Sequence, residues 1–183
     1  FANDAASAVQ YLRSKGYDKV GLIGHSEGGL IAAMVASEHP VDFVISLAGT
    51  GVSGYAILKK QNLDISISEG LPLSDAEENN RKFMEMVNIV LRNDDLKMSE
   101  AELYAYLDST YASERELMPN FDDWKMQQIT TLNSEWMKFF LGFDPQDCWT
   151  RVTCPVLALN GSKDLQVNQE VNFESIQNSL IKA

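Results

Sequence analysis

The sequence predicts an α/β protein built on a parallel sheet, and three observations lead to that class. Short apolar runs lie at residues 19–24, 43–48 and 155–160, each of a length typical of a buried strand. Helical patterns alternate with these runs, as crossover helices do in a parallel sheet. A long helical stretch separates the second run from the third, which indicates an insertion.

The helices that flank the predicted strands follow from apolar spacing and from residues that start or stop helices. Asn3 is predicted to cap a first helix that runs to Ser14. A second helix, over residues 28–38, is apolar nearly all round, as expected of a helix packed inside an α/β layer. Pro40 ends that helix because it has no N–H to continue it. A final helix is predicted over residues 168–181.

The segment between the second and third strands predicts a helical, acidic insertion. Ser74 with Glu77, and Ser99 with Glu102, match the capping-box pattern of a helix start. Residues 74–123 carry 13 of the 26 acidic residues and 5 of the 15 basic ones, so they hold −8 of the net charge of −11. Helices are predicted over residues 75–93 and 100–112, from Asp122 onward, and over residues 134–141.

The predicted organisation is a sheet domain in two pieces with a helical insertion between them. Residues 1–70 form the first piece, residues 71–147 the insertion and residues 148–183 the second piece. The net charge of −11 argues against nucleic acid and anionic membrane surfaces as partners. No apolar run reaches the length of a membrane span. The residue patterns indicate neither a metal nor a cofactor.

One motif carries candidate chemistry, namely Gly24-His25-Ser26-Glu27-Gly28. It follows a predicted strand and opens a predicted helix, which is the context that a nucleophilic serine at a sharp turn requires. Small residues are expected at Gly24 and Gly28 because side chains there would clash with the backbone, and Gly29 gives room for close helix packing. The helix N-terminus favours negative charge, so the Glu27 amide is a candidate oxyanion donor.

A second candidate residue, Asp164, lies a few residues beyond the third predicted strand. Loops at the carboxyl ends of parallel strands carry function in open α/β sheets. Its position after the serine agrees with the order of nucleophile, acid and base that this kind of turn implies. The alternative interpretation is an aspartate that only stabilises its own turn, since Gly161-Ser162-Lys163-Asp164 is also turn chemistry.

These segments resemble the α/β-hydrolase superfamily. More narrowly, residues 24–29 together with residues 154–167 resemble bacterial cap-bearing esterases related to serine aminopeptidases, and residues 136–145 are similar to the segment before the third strand in that group. The resemblance implies a partial α/β-hydrolase core of three parallel strands flanked by helices, with the insertion as a cap. It implies acyl transfer to water, with Ser26 as nucleophile and Asp164 as triad acid.

The sequence departs from that family at the catalytic base. A triad needs a histidine to accept the serine proton, and the chain contains only His25 and His39. His25 is expected to support the turn with its side chain directed away from the serine hydroxyl. His39 is expected about 18 Å away, at the far end of the helix that Ser26 begins. The triad histidine is therefore predicted to lie outside this chain, which is interpreted as a fragment of a catalytic domain.

Three functions follow as alternatives. The first is a serine esterase that acts on a small-molecule ester, and the second is an aminopeptidase whose acidic cap would bind the ammonium group of a small peptide. The third is a hydrolase-like binding domain without a working base. Because three parallel strands alone would leave apolar edges and faces exposed, self-association through the sheet edges is also predicted.

Overall fold

The computed structural model describes residues 1–182 and confirms an α/β fold with a parallel sheet flanked by helices. The described residues form three strands and nine α-helices, six of which lie between the second and third strands, and a single 3₁₀ turn lies at Arg115–Leu117. The strands are β1 (Leu22–His25), β2 (Val44–Leu47) and β3 (Val156–Leu159). The helices are α1 (Ala2–Ser14), α2 (Glu27–Glu38), α3 (Gly54–Ser68), α4 (Leu73–Arg92), α5 (Leu96–Thr110), α6 (Phe121–Leu132), α7 (Glu135–Gly142), α8 (Gln146–Trp149) and α9 (Gln169–Leu180).

The sheet has the strand order β1-β2-β3, and both pairings are parallel. In register, Ile23 pairs with Ile45 and Ile45 pairs with Leu157, while His25, Leu47 and Leu159 form the last row. All three strands therefore end at the same edge of the sheet. The loops that follow them, including the turn at residue 26, start from this carboxyl edge.

The strands are only half-buried, although each apolar run is typical of a buried strand. Alternate side chains point to opposite faces of a sheet, and the face that includes Ile23, Leu157 and Leu159 is open. Ile23 is 67% exposed, Leu157 51% and Leu159 48%. On the other face, Val44 and Ser46 are buried. Helices cover only one face, so the other is left exposed, as expected of three parallel strands alone.

The chain divides into two compact units. The sheet unit comprises residues 1–53 and 144–183, and the helical unit comprises residues 54–143. The sequence placed the first boundary at residue 70 and the second at residue 147. The first boundary differs because no helix was predicted over residues 54–68. In the structure α3 lies there and packs against α4 and α7.

The core of the sheet unit lies between the covered face of the sheet and its helices. Helix α2 packs against β1 and β2, and it also contacts α1 and α8. Apolar contacts are made by small and branched side chains of α2, which is why its sequence is apolar nearly all round. The buried residues of this core include Leu30, Ala33, Val35, Val44, Trp149, Val152 and Ile176.

The helical unit has a core of its own, to which α4 contributes the most residues. The apolar stripe of α4 includes Met86, Val87 and Val90, and Leu103 and Leu107 of α5 complete the centre with no exposed surface. Helices α6 and α7 add further members of the same cluster. Lys125 of α6 is buried, and its ammonium group lies 2.6 Å from a carboxylate oxygen of Asp108. That contact raises the Lys125 pKa.

Helix starts differ from the predicted caps. Helix α5 begins one turn before Ser99, because the Asp95 side chain accepts the Lys97 amide and caps it there. Ser99 is therefore inside the helix, where its hydroxyl donates to the Leu96 carbonyl. Helix α4 starts after Pro72, so the predicted capping boxes at residues 74–77 and 99–102 are wrong.

Asn3 does not cap α1, because that helix begins at Ala2 and Asn3 lies in its first turn.

In the part of the chain that the structure describes, no helix has the length and apolar character needed to cross a membrane.

Candidate active site

Ser26 occupies a strained turn between β1 and α2. Its backbone has φ 55° and ψ −120°, a conformation that residues other than glycine rarely adopt. Such strain costs about 1–3 kcal/mol and persists only where the surrounding structure enforces it. Here the Ser26 amide donates to the Leu47 carbonyl at 2.9 Å, and the Ser26 carbonyl accepts the Gly29 amide at 2.9 Å. The turn is thus held between the neighbouring strand and the first turn of the helix.

The Ser26 hydroxyl is not used to close the helix start. Ser26 is the N-cap residue of α2, a position at which serine side chains commonly accept a backbone amide, yet it makes no such bond. The residue as a whole is half-buried. Its hydroxyl is therefore not consumed by capping at this carboxyl edge of the sheet.

Two glycines make the turn sterically possible. A Cβ added at Gly24 would lie 1.9 Å from the carbonyl oxygen of Gly28, and one at Gly29 would lie 2.6 Å from the Cα of Gly49. Both contacts involve backbone atoms, so neither is relieved by moving a side chain. At Gly28 itself an added Cβ would meet nothing within 4 Å. The predicted steric need for glycine at residue 28 is therefore wrong, because it is the Gly28 carbonyl, rather than its Cα, that faces Gly24.

Glu27 is the first residue of α2, with Ser26 as the cap. Backbone amides in the first turn of a helix point along the axis toward its N-terminus. The partial positive charge at that end favours an anion nearby. The Glu27 amide is thus in the position that the sequence assigned to an oxyanion donor. A catalytic role for it stays a prediction.

The two histidines lie at opposite ends of the segment formed by Ser26 and α2. His25 is the last residue of β1 and is exposed, next to the buried Gly24. His39 is the C-cap of α2, and its amide donates to the Val35 carbonyl. The twelve residues of α2 separate His39 from Ser26, which corresponds to about 18 Å along the helix. His39 therefore cannot reach the serine hydroxyl.

Asp164 lies in the loop after β3, at the same edge of the sheet as Ser26. Its Oδ1 atom accepts the Gln166 amide at 2.9 Å and the Val167 amide at 3.0 Å. The Asn160 side-chain amide donates to the Val167 carbonyl at 2.9 Å and closes the base of the loop. The aspartate therefore does stabilise its own turn, as the alternative interpretation proposed. Both amides bond to Oδ1, so Oδ2 remains for another donor within the described structure.

The sheet order sets the spacing between the strand ends that precede Ser26 and Asp164. Ser26 follows β1, Asp164 lies in the loop after β3, and β2 lies between these strands. Two strand spacings amount to about 10 Å between the ends of β1 and β3. Both residues therefore follow strands that end at the same edge of the sheet, with one strand between them. Among residues 1–182, no group of three or more His, Cys, Asp or Glu side chains is arranged to hold a metal ion.

The loop after β2, residues 48–53, was missed by the sequence analysis although it lies between these two residues. Ala48 has φ 47°, the second non-glycine residue with a positive φ in the described chain. The Gly49-Thr50-Gly51 run directly after a strand was the available signal for a close-packed loop. Alanine itself gives no signal of a left-handed backbone.

Comparison with known proteins identifies no family for this chain. No protein-family model matches this chain, and no curated protein matches it with significance. The structure therefore establishes an α/β class with a parallel sheet and a strained serine turn.

Proposed function

We propose that this chain supplies the nucleophile and the acid of a serine hydrolase of the α/β-hydrolase type, which cleaves carboxylic esters. The observation that carries the proposal is the backbone of Ser26, strained at a strand-to-helix turn with its hydroxyl left out of the helix cap. Strained non-glycine residues concentrate at functional sites. A serine at this kind of turn is the nucleophile position of that fold.

The proposed reaction begins with attack of the Ser26 hydroxyl oxygen on the ester carbonyl carbon. The serine proton passes to a base, and the negative charge that develops on the carbonyl oxygen faces the Glu27 amide. The alcohol leaves with a proton from the base, and water then hydrolyses the acyl group from Ser26. Asp164 would orient the base through Oδ2, since Oδ1 is already bonded to two amides.

The base in this proposal is a histidine that the chain itself does not provide. His39 cannot reach the serine hydroxyl, and His25, exposed at the end of β1, is not assigned as the base. A further polypeptide segment or a partner chain would have to place an imidazole in the gap of about 10 Å between the ends of β1 and β3. The helical unit would act as the cap of the enzyme and set its specificity.

Two alternatives rest on separate observations. Residues 54–143 contain 16 acidic and 9 basic residues, and an acidic cap would favour the ammonium group of a small peptide, as in an aminopeptidase. The absence of a suitably placed histidine among the described residues favours a binding domain without catalysis. Short esters assayed against aminoacyl amides would separate the two enzymes from each other.

Intact-mass spectrometry with a fluorophosphonate probe tests the proposal. We expect one probe adduct on the wild type where a longer polypeptide or a partner chain supplies the histidine, and none on Ser26→Ala; the isolated chain should stay unlabelled. Ser162→Ala, which removes an exposed serine of the Asp164 loop, is the matched control and should label like the wild type. Asp164→Asn should slow labelling about a hundredfold or more, because the base loses its orienting partner.

The starting mass decides how a negative result is interpreted. A mass near 20.4 kDa corresponds to the sequence alone, whereas a larger mass means that further polypeptide is present. If neither the 20.4-kDa chain nor a longer natural polypeptide containing it is labelled at Ser26, the hydrolase proposal is rejected. The binding-domain alternative would then take its place.

A further inference from the structure

One peptide group connects the strand ends that lead to the two proposed triad residues. The carbonyl of Leu47 accepts the Ser26 amide at 2.9 Å, and the amide of Ala48, in the same peptide group, donates to the Leu159 carbonyl at 2.7 Å. Because a peptide group is planar and stiff, its two bonds cannot reorient independently. The end of β1, which carries Ser26, is thereby linked to the end of β3, from which the Asp164 loop starts.

The orientation of this peptide group depends on an unfavourable backbone conformation. Ala48 has φ 47°, and Ser26 is the only other non-glycine residue with a positive φ in the part of the chain described. A left-handed backbone brings the Cβ of an L-residue too close to the following carbonyl. The two strained residues thus occupy adjacent strand ends and are connected through the Leu47 carbonyl.

The loop after Ala48 is fixed on several sides. The indole N–H of Trp149 donates to the Thr50 carbonyl at 3.1 Å, and Oδ1 of Asn172 accepts the Gly51 amide at 2.7 Å. The Ser175 hydroxyl donates to the Gly51 carbonyl. Trp149 and Asn172 are both buried. These bonds prevent the loop from relaxing, so they maintain the left-handed conformation before it.

The same loop also packs directly on the first turn of α2. Gly49 lies so close to Gly29 that a Cβ at residue 29 would come within 2.6 Å of the Gly49 Cα. The hydroxyl of the buried Ser46 fills the remaining space, 2.0 Å from where a Cβ of Gly49 would be. The loop therefore contacts the helix that Ser26 opens, while Leu47, the strand residue before the loop, accepts the Ser26 amide.

We infer that Ala48 is a positioning residue for the nucleophile. Its left-handed backbone aims the Leu47 carbonyl at the Ser26 amide and holds the serine turn in its strained form. The description of Ser26 as the nucleophile rests on the proposed function. The positioning of the Ser26 backbone is independent of whether the hydroxyl reacts.

Two substitutions at residue 48 with opposite conformational preferences test the inference. Ala48→Val adds a β-branched side chain, which strongly disfavours a positive φ, whereas Ala48→Gly removes the penalty. Ala8→Val, at an exposed position of α1, is the matched control for the added methyl groups. Amide hydrogen exchange at Ser26 is measured in each variant, together with the rate of fluorophosphonate labelling.

We expect Ala48→Val to speed exchange of the Ser26 amide at least tenfold and to slow labelling of Ser26 by a similar factor. Ala48→Gly and Ala8→Val should stay within about twofold of the wild type in both measurements. The amides of Leu22 and Val44, which bond at the opposite ends of the strands, should exchange as in the wild type. Equal acceleration at those amides would mean general destabilisation and would overturn the inference, as would an unchanged Ser26 amide.

Failure of the proposed function would give a different pattern. If wild-type Ser26 never labels, but its amide still responds to Ala48→Val alone, the hydrolase is rejected and the positioning role stands. If Ala48→Val does not fold, Ser175→Ala provides a milder variant that removes only the hydroxyl bonded to Gly51. Ser175→Ala should speed exchange of the Ser26 amide selectively, by a smaller factor than Ala48→Val. Equal acceleration at the amides of Ser26, Leu22 and Val44 would contradict the inference.

Discussion

The two units of this chain reach stability in different ways. The sheet unit contains both strained non-glycine residues of the described chain, together with glycines packed backbone to backbone around Ser26. The helical unit contains no such strained residue in its described range and is held by side-chain packing around α4 and α5. Strain is tolerated where many bonds enforce it. The comparison therefore assigns candidate chemistry to the sheet unit and ordinary packing to the helical unit.

The largest effect is expected from adding a methyl group at Gly24. Its Cβ would lie 1.9 Å from the Gly28 carbonyl oxygen, and since backbone atoms cannot move aside, Gly24→Ala should cost about 4 kcal/mol or more of unfolding free energy. Gly28→Ala is the matched control because its Cβ meets nothing within 4 Å. Inside a helix that change should be neutral or stabilising by up to about 1 kcal/mol. Urea unfolding followed by circular dichroism measures both.

An equal loss of unfolding free energy in Gly24→Ala and Gly28→Ala would contradict the contrast drawn between the two units. They would mean that the turn at residue 26 is loosely held and that glycine at residue 24 reflects something other than close packing. The Ser26 conformation would then lose its value as evidence for function.

The second effect tests whether the helical unit depends on packing alone. Leu103 has no exposed surface in the centre of the cluster, so Leu103→Ala should cost about 3 kcal/mol through lost burial and the cavity that remains. Met86→Leu keeps the volume of a nearly buried side chain and should cost less than about 1.5 kcal/mol. Hydrogen-exchange mass spectrometry should localise the loss to residues 54–143.

If Leu103→Ala accelerated exchange equally in both units, the two would unfold as one cooperative body. The division into a strained unit and a relaxed unit would then describe geometry but not stability. A Met86→Leu variant as unstable as Leu103→Ala would instead show that this core is as strictly packed as the serine turn.

The sequence predicted the fold where periodicity is strong. All three strands lie within their predicted ranges or extend one residue beyond them, because short apolar runs bounded by turn residues have few other interpretations. Helix α3 was missed because its apolar positions form no clear stripe over residues 54–68. The helix starts predicted at Ser74 and Ser99 were misplaced because the helices begin earlier, after Pro72 and Asp95 respectively. A local capping motif does not show which of two nearby residues starts the helix.

The candidate site was predicted in part for a related reason. Ser26 and Asp164 were found because their residue types and spacing carry a chemical pattern. The role of Gly28 was misjudged because the direction of a Cβ depends on the backbone of the folded turn. Ala48 was missed because its conformation is imposed by Trp149 and Asn172, which lie about a hundred residues or more away in the sequence.

The smallest effect is a loss of stability at low pH, through the contact that joins α1 to the start of β2. Asp42 accepts the Val20 amide at 2.7 Å and also pairs with Arg13. The amide bond, followed by the guanidinium, lowers the Asp42 pKa below its ordinary value of 3.8. Because the folded pKa is depressed, the stabilisation is complete above the unfolded value and is lost as the pH falls through the folded one.

We therefore expect the wild type to exceed Asp42→Asn in stability at pH 7, with the difference shrinking to nothing below the folded pKa of Asp42. Urea unfolding at a series of pH values between 2 and 7 measures it. Arg13→Gln separates the two causes, since it leaves the Val20 amide in place. Because that amide is the largest single cause of the lowered Asp42 pKa, Arg13→Gln should retain part of the pH dependence. Loss of the whole pH dependence in Arg13→Gln would assign the stabilisation to the ion pair.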